Sequence, residues 1–338
     1  MKHFITTLDW SRVELQTFLD HAKRLKAAPI QPLLKDKSIA LVFFNPSLRT
    51  RTSFDVGMRQ LGGHAVVLQP GQGAWPMEFE IGATMDADAE EHVIEAARVL
   101  SRYCDLIAVR AFPKFQDWEQ DRRDHVIRAF ADYATVPVIN METITHPCQE
   151  MAHMMTLQER LGSTDGKKFV LTWTYHPKPL NTAVANSGLV IASKFGMDVT
   201  LLCPTDEYRL DERYMSAAEQ YCQQNGRTLT VSHDIDEAYE DADVVYAKSW
   251  GALPYFGNWD AEKKIRDKYQ HFMVDTDKMA KTNDAIFSHC LPVRRNVKVS
   301  DEVLDSDQSV AIDEAENRLH VQKAIMSGLY KETQNGQS

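Results

Sequence analysis

The sequence lacks several features that would place it in particular classes of protein. It has no apolar run near the roughly 20 residues that a membrane-spanning helix needs, and no internal repeat or low-complexity tract. Basic residues are not in excess, because 38 Lys and Arg stand against 48 Asp and Glu, for a formal net charge of -10. A membrane protein, a repeat protein and a general nucleic-acid binder are therefore not expected.

Cysteine is also scarce, and its number is odd. The five cysteines occur in a chain that shows no secretory leader. We therefore expect reduced thiols and a cytoplasmic protein.

No G-x-G-x-x-G follows a predicted strand. This argues against a nicotinamide dehydrogenase, because the glycine-rich turn of that fold holds the cofactor phosphates.

The sequence does contain an alternation of strand-like and helix-like segments. Its 338 residues, 43% of them hydrophobic, suffice for two domains. We predict an α/β protein with two doubly wound parallel sheets. The predicted domains cover residues 1–145 and 146–312, and the last helix, 313–330, is expected to return to the first domain. Strands are predicted at 38–44, 64–68, 106–111 and 136–140 in the first domain, and at 168–175, 198–204, 228–233, 243–249, 272–275 and 285–291 in the second.

The segment FFNPSLRTRTSF, residues 43–54, places a polar cluster where a strand ends and a helix begins. The first N–H groups of a helix attract anions, and arginine side chains bind phosphate oxygens in pairs. Arg49 and Arg51, with the hydroxyl groups of Ser47 and Thr50, therefore favour a phosphate site. The alternative is a hydroxyl cap with solvated arginines, because such caps are common.

Further polar residues follow other predicted strands. Arg110 ends an apolar strand, where a charge near the core needs a partner, so a structural ion pair is one interpretation. His146 and Gln149 lie three residues apart at a helix start, and their donors would suit the polarisation of a carbonyl group. A surface residue is the other interpretation of His146. Cys290 is either a small buried residue or part of a site.

The motifs SLRTR (47–51), HPCQ (146–149) and HCLP (289–292) resemble, in order and separation, the signatures of the aspartate and ornithine carbamoyltransferases. The resemblance extends over nearly the whole chain. It implies transfer of a carbamoyl group from carbamoyl phosphate without a cofactor or metal ion. It also implies a homotrimer, a site at domain and subunit interfaces, and a knotted loop around YHPKPLN (175–181). A non-catalytic phosphometabolite-binding protein would need SLRTR but neither of the other motifs.

The resemblance also implies roles for individual residues. Those expected to act in catalysis are Arg110, His146, Gln149 and Cys290. Those expected to contact carbamoyl phosphate are Ser47, Leu48, Arg49, Thr50, Arg51, Trp75 from a neighbouring subunit, Arg110, His146, Gln149, Cys290, Leu291 and Arg318. Those expected to contact the amine substrate are Glu142, Lys248, Leu291 and Arg294. Lys298 matches a lysine that becomes carboxylated. The alternatives are an aromatic packed on a glycine-rich loop for Trp75, a solvated helix residue for Arg318 and an exposed lysine for Lys298.

The amine acceptor is indicated by a departure from the ornithine enzymes, which carry an Asp followed by Ser-Met-Gly. Here DVVYAKSWGALPYFGNW (243–259) has Lys248 near the place of that acid. A lysine repels the α-ammonium of free ornithine, but it attracts a carboxylate or an acyl oxygen. Within the family the chain therefore resembles the branch that carbamoylates N-acetyl-L-ornithine in arginine biosynthesis. N-succinylornithine and plain ornithine are the alternative acceptors.

Glu90 and Glu91 are predicted to open the helix at 90–103, where the helix dipole favours acids. The resemblance implies a second role for Glu90, since family members that use N-succinylornithine carry proline there. A glutamate directed at the acyl group would repel the additional carboxylate of a succinyl group. Glu90 is therefore the expected determinant of acyl specificity.

Overall fold

The computed structural model describes residues 1–335, which divide into two units. Unit 1 contains Met1–Pro113, Glu119–Cys148 and the described residues from Arg318 onward, whereas unit 2 contains Lys114–Trp118 and Gln149–Asn317. Among the described residues, no helix combines the length and apolar composition required to span a membrane.

The elements alternate along the chain as the sequence predicts. The strands are β1 (Ser38–Phe43), β2 (His64–Leu68), β3 (Met77–Glu78), β4 (Glu91–His92), β5 (Leu106–Arg110), β6 (Val138–Glu142), β7 (Lys168–Trp173), β8 (Asp198–Leu202), β9 (Leu229–Ser232), β10 (Val244–Lys248) and β11 (Ile286–Ser288). The helices are α1 (Arg12–Ala27), α2 (Arg49–Gln60), α3 (Val93–Tyr103), α4 (Trp118–Asp121), α5 (His125–Tyr133), α6 (Pro147–Leu161), α7 (Ala183–Lys194), α8 (Glu212–Gln224), α9 (Ile235–Tyr239), α10 (Trp259–Arg266), α11 (Thr276–Met279), α12 (Asp301–Leu304) and α13 (Ala311–Asn335).

Unit 1 is built on a parallel sheet of four strands in the order β2-β1-β5-β6. Every residue of β5 and β6 is buried, because helices cover both faces of a parallel sheet, and this is why these strands read as apolar runs. The last residues of β5 and β6 are Arg110 and Glu142. The chain order therefore places two charged side chains at the same edge of the sheet, where ligands of such folds bind.

Unit 2 contains a parallel sheet of five strands in the order β11-β10-β7-β8-β9. The α/β class and the parallel sheets are confirmed, but the predicted strand at 272–275 is wrong. Only Val274 is paired there, in an isolated bridge to Val299. Phe272 ends a 3-10 helix, and Val274 lies in the turn between that helix and α11. Both side chains are buried, so the alternation of buried residues here reflects packing of a turn and not a strand ladder.

The prediction that Glu90 and Glu91 open a helix is also wrong. Glu91 lies in β4, which pairs with β3, and α3 begins two residues later. His92 caps that helix, because its Nδ1 accepts a hydrogen bond from the backbone N–H of Ile94 at 3.2 Å. Glu90 is exposed and precedes the strand, so the helix dipole does not account for it.

Candidate active site

The start of α2 has the geometry of an anion site. The helix begins at Arg49, directly after Ser47 and Leu48, and Ser47 Oγ accepts a hydrogen bond from the N–H of Thr50 at 3.1 Å. The hydroxyl of Ser47 therefore bonds within the first turn, although Leu48 is the N-cap and makes no side-chain cap hydrogen bond, and the arginines remain to be explained. Arg51 donates to Gln69 Oε1 at 3.3 Å on the exposed side of the helix.

Arg318 on α13 belongs to the same group. Its guanidinium donates to Thr50 Oγ1, and only 3% of the residue is exposed, so the solvated-helix interpretation is wrong. Burial lowers the pKa of Arg318, Glu142 opposes that effect, and Arg110 and Arg49 add to it. Two further guanidinium groups therefore act on the buried Arg318, together with the carboxylate of Glu142. Buried positive charge is costly unless an anion neutralises it.

Glu142 joins two of the predicted catalytic residues. Arg110 NH1 donates to Glu142 Oε2, and His146 Nε2 lies 3.4 Å from the same oxygen. The ion-pair interpretation of Arg110 is confirmed, and the surface interpretation of His146 is wrong, since only 3% of that residue is exposed. The Nε of Arg110 is buried and has no hydrogen-bond partner within residues 1–335. A buried charged donor of this kind is a place for a ligand acceptor.

In unit 2, the ends of β10 and β11 bring Lys248 and Cys290 together. Lys248 is the last residue of β10, and its Nζ donates to Cys290 Sγ at 3.7 Å. Cys290 is buried two residues after the end of β11. Leu291 follows with φ of 52°, in the left-handed region that leucine rarely adopts, and its N–H donates to His289 Nδ1 at 2.8 Å. Such a backbone conformation is frequent at functional sites.

A cationic cluster lies beside Cys290. Arg294 Nε donates to His176 Nε2 at 2.9 Å, so this ring nitrogen is the acceptor of a neutral imidazole. Burial lowers the pKa of His176 to about 4, with Lys298, Arg294 and Lys248 contributing. Lys298 is 2% exposed, so the exposed-lysine interpretation is wrong. Burial, followed by Lys248, lowers the pKa of Lys298 to about 7.

Gln149 is held by Glu314, which Tyr246 holds in turn, and the sequence indicated neither residue. Its Nε2 donates to Glu314 Oε1, and the hydroxyl of Tyr246 donates to the same oxygen at 3.1 Å. Glu314 looked like an acid in the first turn of a helix, and Tyr246 like a strand residue. His176 was missed as well, although it lies in the proline-rich segment singled out above.

Trp75 and Glu90 lie on exposed segments of unit 1. Trp75 follows β2, and 66% of the residue is exposed. It lines a groove of about 770 Å³ together with Leu68, Met77 and Val99. The large exposed indole contradicts the interpretation of an aromatic packed on its own loop.

Two family models match the chain. The carbamoyl-P binding domain of aspartate/ornithine carbamoyltransferase matches residues 2–159, and the Asp/Orn binding domain of the same family matches residues 171–329. A curated N-acetylornithine carbamoyltransferase from Xanthomonas campestris pv. campestris is 67% identical over 331 residues, which cover 97% of this chain and 98% of the relative. An N-succinylornithine carbamoyltransferase from Bacteroides thetaiotaomicron is 39% identical over 285 residues, 84% of each chain.

Solved structures agree with these matches. A crystal structure of acetylornithine transcarbamylase complexed with acetylcitrulline has a TM-score of 0.97 and 67% identity, and the match covers 97% of this chain and 99% of that chain. A mutant of N-acetyl-L-ornithine transcarbamylase with proline in place of a glutamate, complexed with carbamyl phosphate and N-succinyl-L-norvaline, has the same TM-score and identity, with 97% and 100% covered. The chain therefore belongs to the aspartate/ornithine carbamoyltransferase family.

Proposed function

We propose that this protein transfers the carbamoyl group of carbamoyl phosphate to the δ-amine of N-acetyl-L-ornithine, giving N-acetyl-L-citrulline and phosphate in arginine biosynthesis. The observation that carries the proposal is the pair of buried arginines of unit 1, Arg110 and Arg318, beside Glu142 and the start of α2, within the match to a carbamoyl-P binding domain. The acetyl substrate is supported by the identity of 67% to an N-acetylornithine enzyme, against 39% to an N-succinylornithine enzyme.

The donor half of the reaction falls to unit 1. The phosphate is held at the start of α2 by Ser47, Arg49, Thr50 and Arg51, and the unpartnered Nε of Arg110 is the donor expected to polarise the carbonyl oxygen together with His146. Glu142 holds Arg110 through a hydrogen bond and lies close to His146. The carbonyl carbon bonds to the neutral δ-nitrogen, the bond from that carbon to the phosphate oxygen breaks, and the leaving phosphate accepts the amine proton.

The acceptor half falls to unit 2. Lys248 and Arg294 supply positive charge for the α-carboxylate and the acyl oxygen of the substrate, and neutral His176 orients Arg294 without adding a third charge. Cys290 and Leu291 contribute to binding beside them. Because an amine of this type has a solution pKa of about 10.4, rate should rise with pH unless the site favours the neutral form.

We propose that Glu90 selects against the succinyl group by charge repulsion. Its exposure leaves the carboxylate able to meet a ligand, and the helix-dipole explanation does not apply to it. A relative crystallised with N-succinyl-L-norvaline carries proline in place of a glutamate, which supports a glutamate as the residue that selects the acyl group. Like charges about 4 Å apart cost roughly 1 kcal/mol in bulk water and more where water is partly excluded.

We also propose that Lys298 is carboxylated. The reaction requires a neutral amine, R–NH₂ + CO₂ → R–NH–COO⁻ + H⁺, and a pKa of about 7 supplies one near neutral pH. The product places an anion beside Lys248 and Arg294 where a third cation would otherwise lie. Mass spectrometry of the native protein in bicarbonate would show an addition of one CO₂, which should be absent in Lys298→Met.

The exposed indole of Trp75 supports a homotrimer in which each subunit contributes to its neighbour's carbamoyl-phosphate site. The test mixes Trp75→Ala with Arg110→Ala subunits. Activity should return in mixed oligomers, where one site combines an intact Trp75 with an intact Arg110. No recovery after verified subunit exchange would show that the site is built within one chain.

Five buried free cysteines support a cytoplasmic location.

The deciding experiment measures carbamoylated product from carbamoyl phosphate with N-acetyl-L-ornithine, N-succinyl-L-ornithine and L-ornithine in parallel. We expect the highest kcat/KM with the acetyl compound. Preference for either of the others would replace the proposed substrate. Failure with all three, in protein shown to be folded, would remove the proposed activity itself.

A further inference from the structure

We infer that Glu314 is a positioning residue that fixes the amide of Gln149 so that the amide oxygen accepts a hydrogen bond from the NH₂ group of carbamoyl phosphate. The inference rests on the proposed function. The resemblance already implies that Gln149 contacts carbamoyl phosphate, and the new element is the residue that orients its amide.

The contacts of Gln149 carry the inference. Gln149 is the third residue of α6 and is 1% exposed. Its Nε2 donates to Glu314 Oε1, whereas its own Oε1 is buried and has no hydrogen-bond partner in the described part of the chain. Glu314 is fully buried and accepts a second hydrogen bond from Tyr246.

The two ends of a glutamine amide have nearly the same shape, so packing alone does not decide which of them faces outward. A carboxylate oxygen can only accept a hydrogen bond, and Glu314 therefore selects the nitrogen. The amide oxygen must then face the opposite way. Leaving a buried acceptor without a partner is costly, so this oxygen favours a ligand that donates.

Carbamoyl phosphate has a single kind of N–H donor, its NH₂ group, while its carbonyl and phosphate oxygens accept. His146, the proposed donor to the carbonyl oxygen, lies directly before α6 and three residues before Gln149. An acceptor on Gln149 distinguishes the NH₂ group from a methyl group or an oxygen at that position.

The surroundings of Glu314 hold it in place. The ring of Tyr246 stacks on His153 with centroids 3.9 Å apart, and His153 Nε2 lies 2.9 Å from Ser288 Oγ. Burial lowers the pKa of His153 to about 3, which keeps this imidazole uncharged. Glu314 is thus supported from β10, α6 and the end of β11, all within unit 2.

The test is Glu314→Gln, which keeps the size of the side chain but lets its amide donate to Gln149, so that the Gln149 amide is free to flip. We expect kcat/KM for carbamoyl phosphate to fall by about tenfold or more. Inhibition by inorganic phosphate, which has no NH₂ group, should stay within about twofold of the wild-type value.

The matched control is Glu262→Gln. Glu262 is also fully buried in unit 2 and accepts from a tyrosine, Tyr208, at 2.8 Å, in addition to pairing with Arg266. Its substitution should lower the thermal midpoint but leave the KM for carbamoyl phosphate within about twofold. A general loosening of unit 2 would instead affect both variants alike.

A double-mutant cycle completes the test. If Glu314 acts through Gln149, then Glu314→Gln should cost nothing further in a Gln149→Ala background. The inference would be overturned if the two substitutions lowered kcat/KM by factors that multiply in the double variant. It would also be overturned if Glu314→Gln weakened inhibition by inorganic phosphate as much as it lowered kcat/KM. If Glu314→Gln does not fold, Glu314→Asp, which draws the carboxylate back by one methylene, enters the same cycle. Wild-type protein inactive with carbamoyl phosphate would instead refute the proposed function.

Discussion

Replacement of Lys298 by methionine should stabilise the protein, and the gain should depend on pH. Lys298 is 2% exposed, and burial together with Lys248 lowers its pKa to about 7. In the unfolded chain a lysine has a pKa of about 10.4. Between pH 7 and pH 10.4 the lysine is protonated in the unfolded chain but not in the folded protein, so the free energy of unfolding rises with pH over this range. Below pH 7 the cost of burying Lys298 reaches its full value.

The magnitude follows from the two pKa values. The penalty is about 3 kcal/mol at pH 8 and about 1 kcal/mol at pH 10. Methionine removes the penalty and keeps the apolar stem. The stability advantage of Lys298→Met should therefore shrink by about 2 kcal/mol between pH 8 and pH 10. Urea unfolding in CO₂-free buffer, followed by the fluorescence of buried Trp173 and Trp250 in unit 2, measures it.

Lys323 provides the control, because it is equally buried but well partnered. Its Nζ donates to Leu25 O at 3.2 Å, Pro29 O at 2.9 Å and Gln60 Oε1 at 2.8 Å. Burial lowers the pKa of Lys323 to about 8 as well. Lys323→Met should therefore gain less stability than Lys298→Met or lose stability, because it also removes these hydrogen bonds, each worth about 1.5–3 kcal/mol. A pH-independent difference for Lys298→Met, or destabilisation at pH 8, would refute the assignment of a buried amine with a lowered pKa. Bicarbonate should stabilise the wild type alone.

Three other predictions concern the sites and the core. Arg49→Ala and Arg51→Ala should each lower kcat/KM for carbamoyl phosphate by about 10 to 200-fold with little change in thermal midpoint; near-normal steady-state kinetics would remove the phosphate assignment. Glu90→Ala should shift kcat/KM toward N-succinyl-L-ornithine, and an unchanged ratio in a competition assay would exclude the charge-repulsion role. Burial lowers the pKa of His153 to about 3 from 6.5, so stability should fall as pH drops through that window. His153→Phe, which keeps the stack on Tyr246, should flatten acid unfolding measured by circular dichroism; an unchanged acid midpoint would contradict this.

Much of the fold could be predicted from the sequence, because strands and helices are indicated by patterns within short segments. Strand β2 was predicted at the bounds it has, and the buried strands β5 and β7 are unbroken apolar runs in the sequence. The errors lie where a local pattern has two physical causes. Alternating burial at 272–275 comes from a packed turn. Of the two acids before α3, Glu91 belongs to a strand whose partner, β3, is not indicated by any nearby pattern.

The site divides in the same way. SLRTR, HPCQ and HCLP are contiguous, so the residue types that bind phosphate and a carbamoyl group could be identified from the sequence by itself. The charge and hydrogen-bonding state of these residues could not be predicted, because it depends on partners distant in the sequence and on the exclusion of water. Arg110 meets Glu142 across 32 residues, and Gln149 meets Glu314 across 165. Lys298 lost its ordinary pKa only when the tertiary structure buried it beside Lys248. Desolvation and long-range hydrogen bonds, which chain order does not encode in any short segment, decided which atoms donate, accept and carry charge.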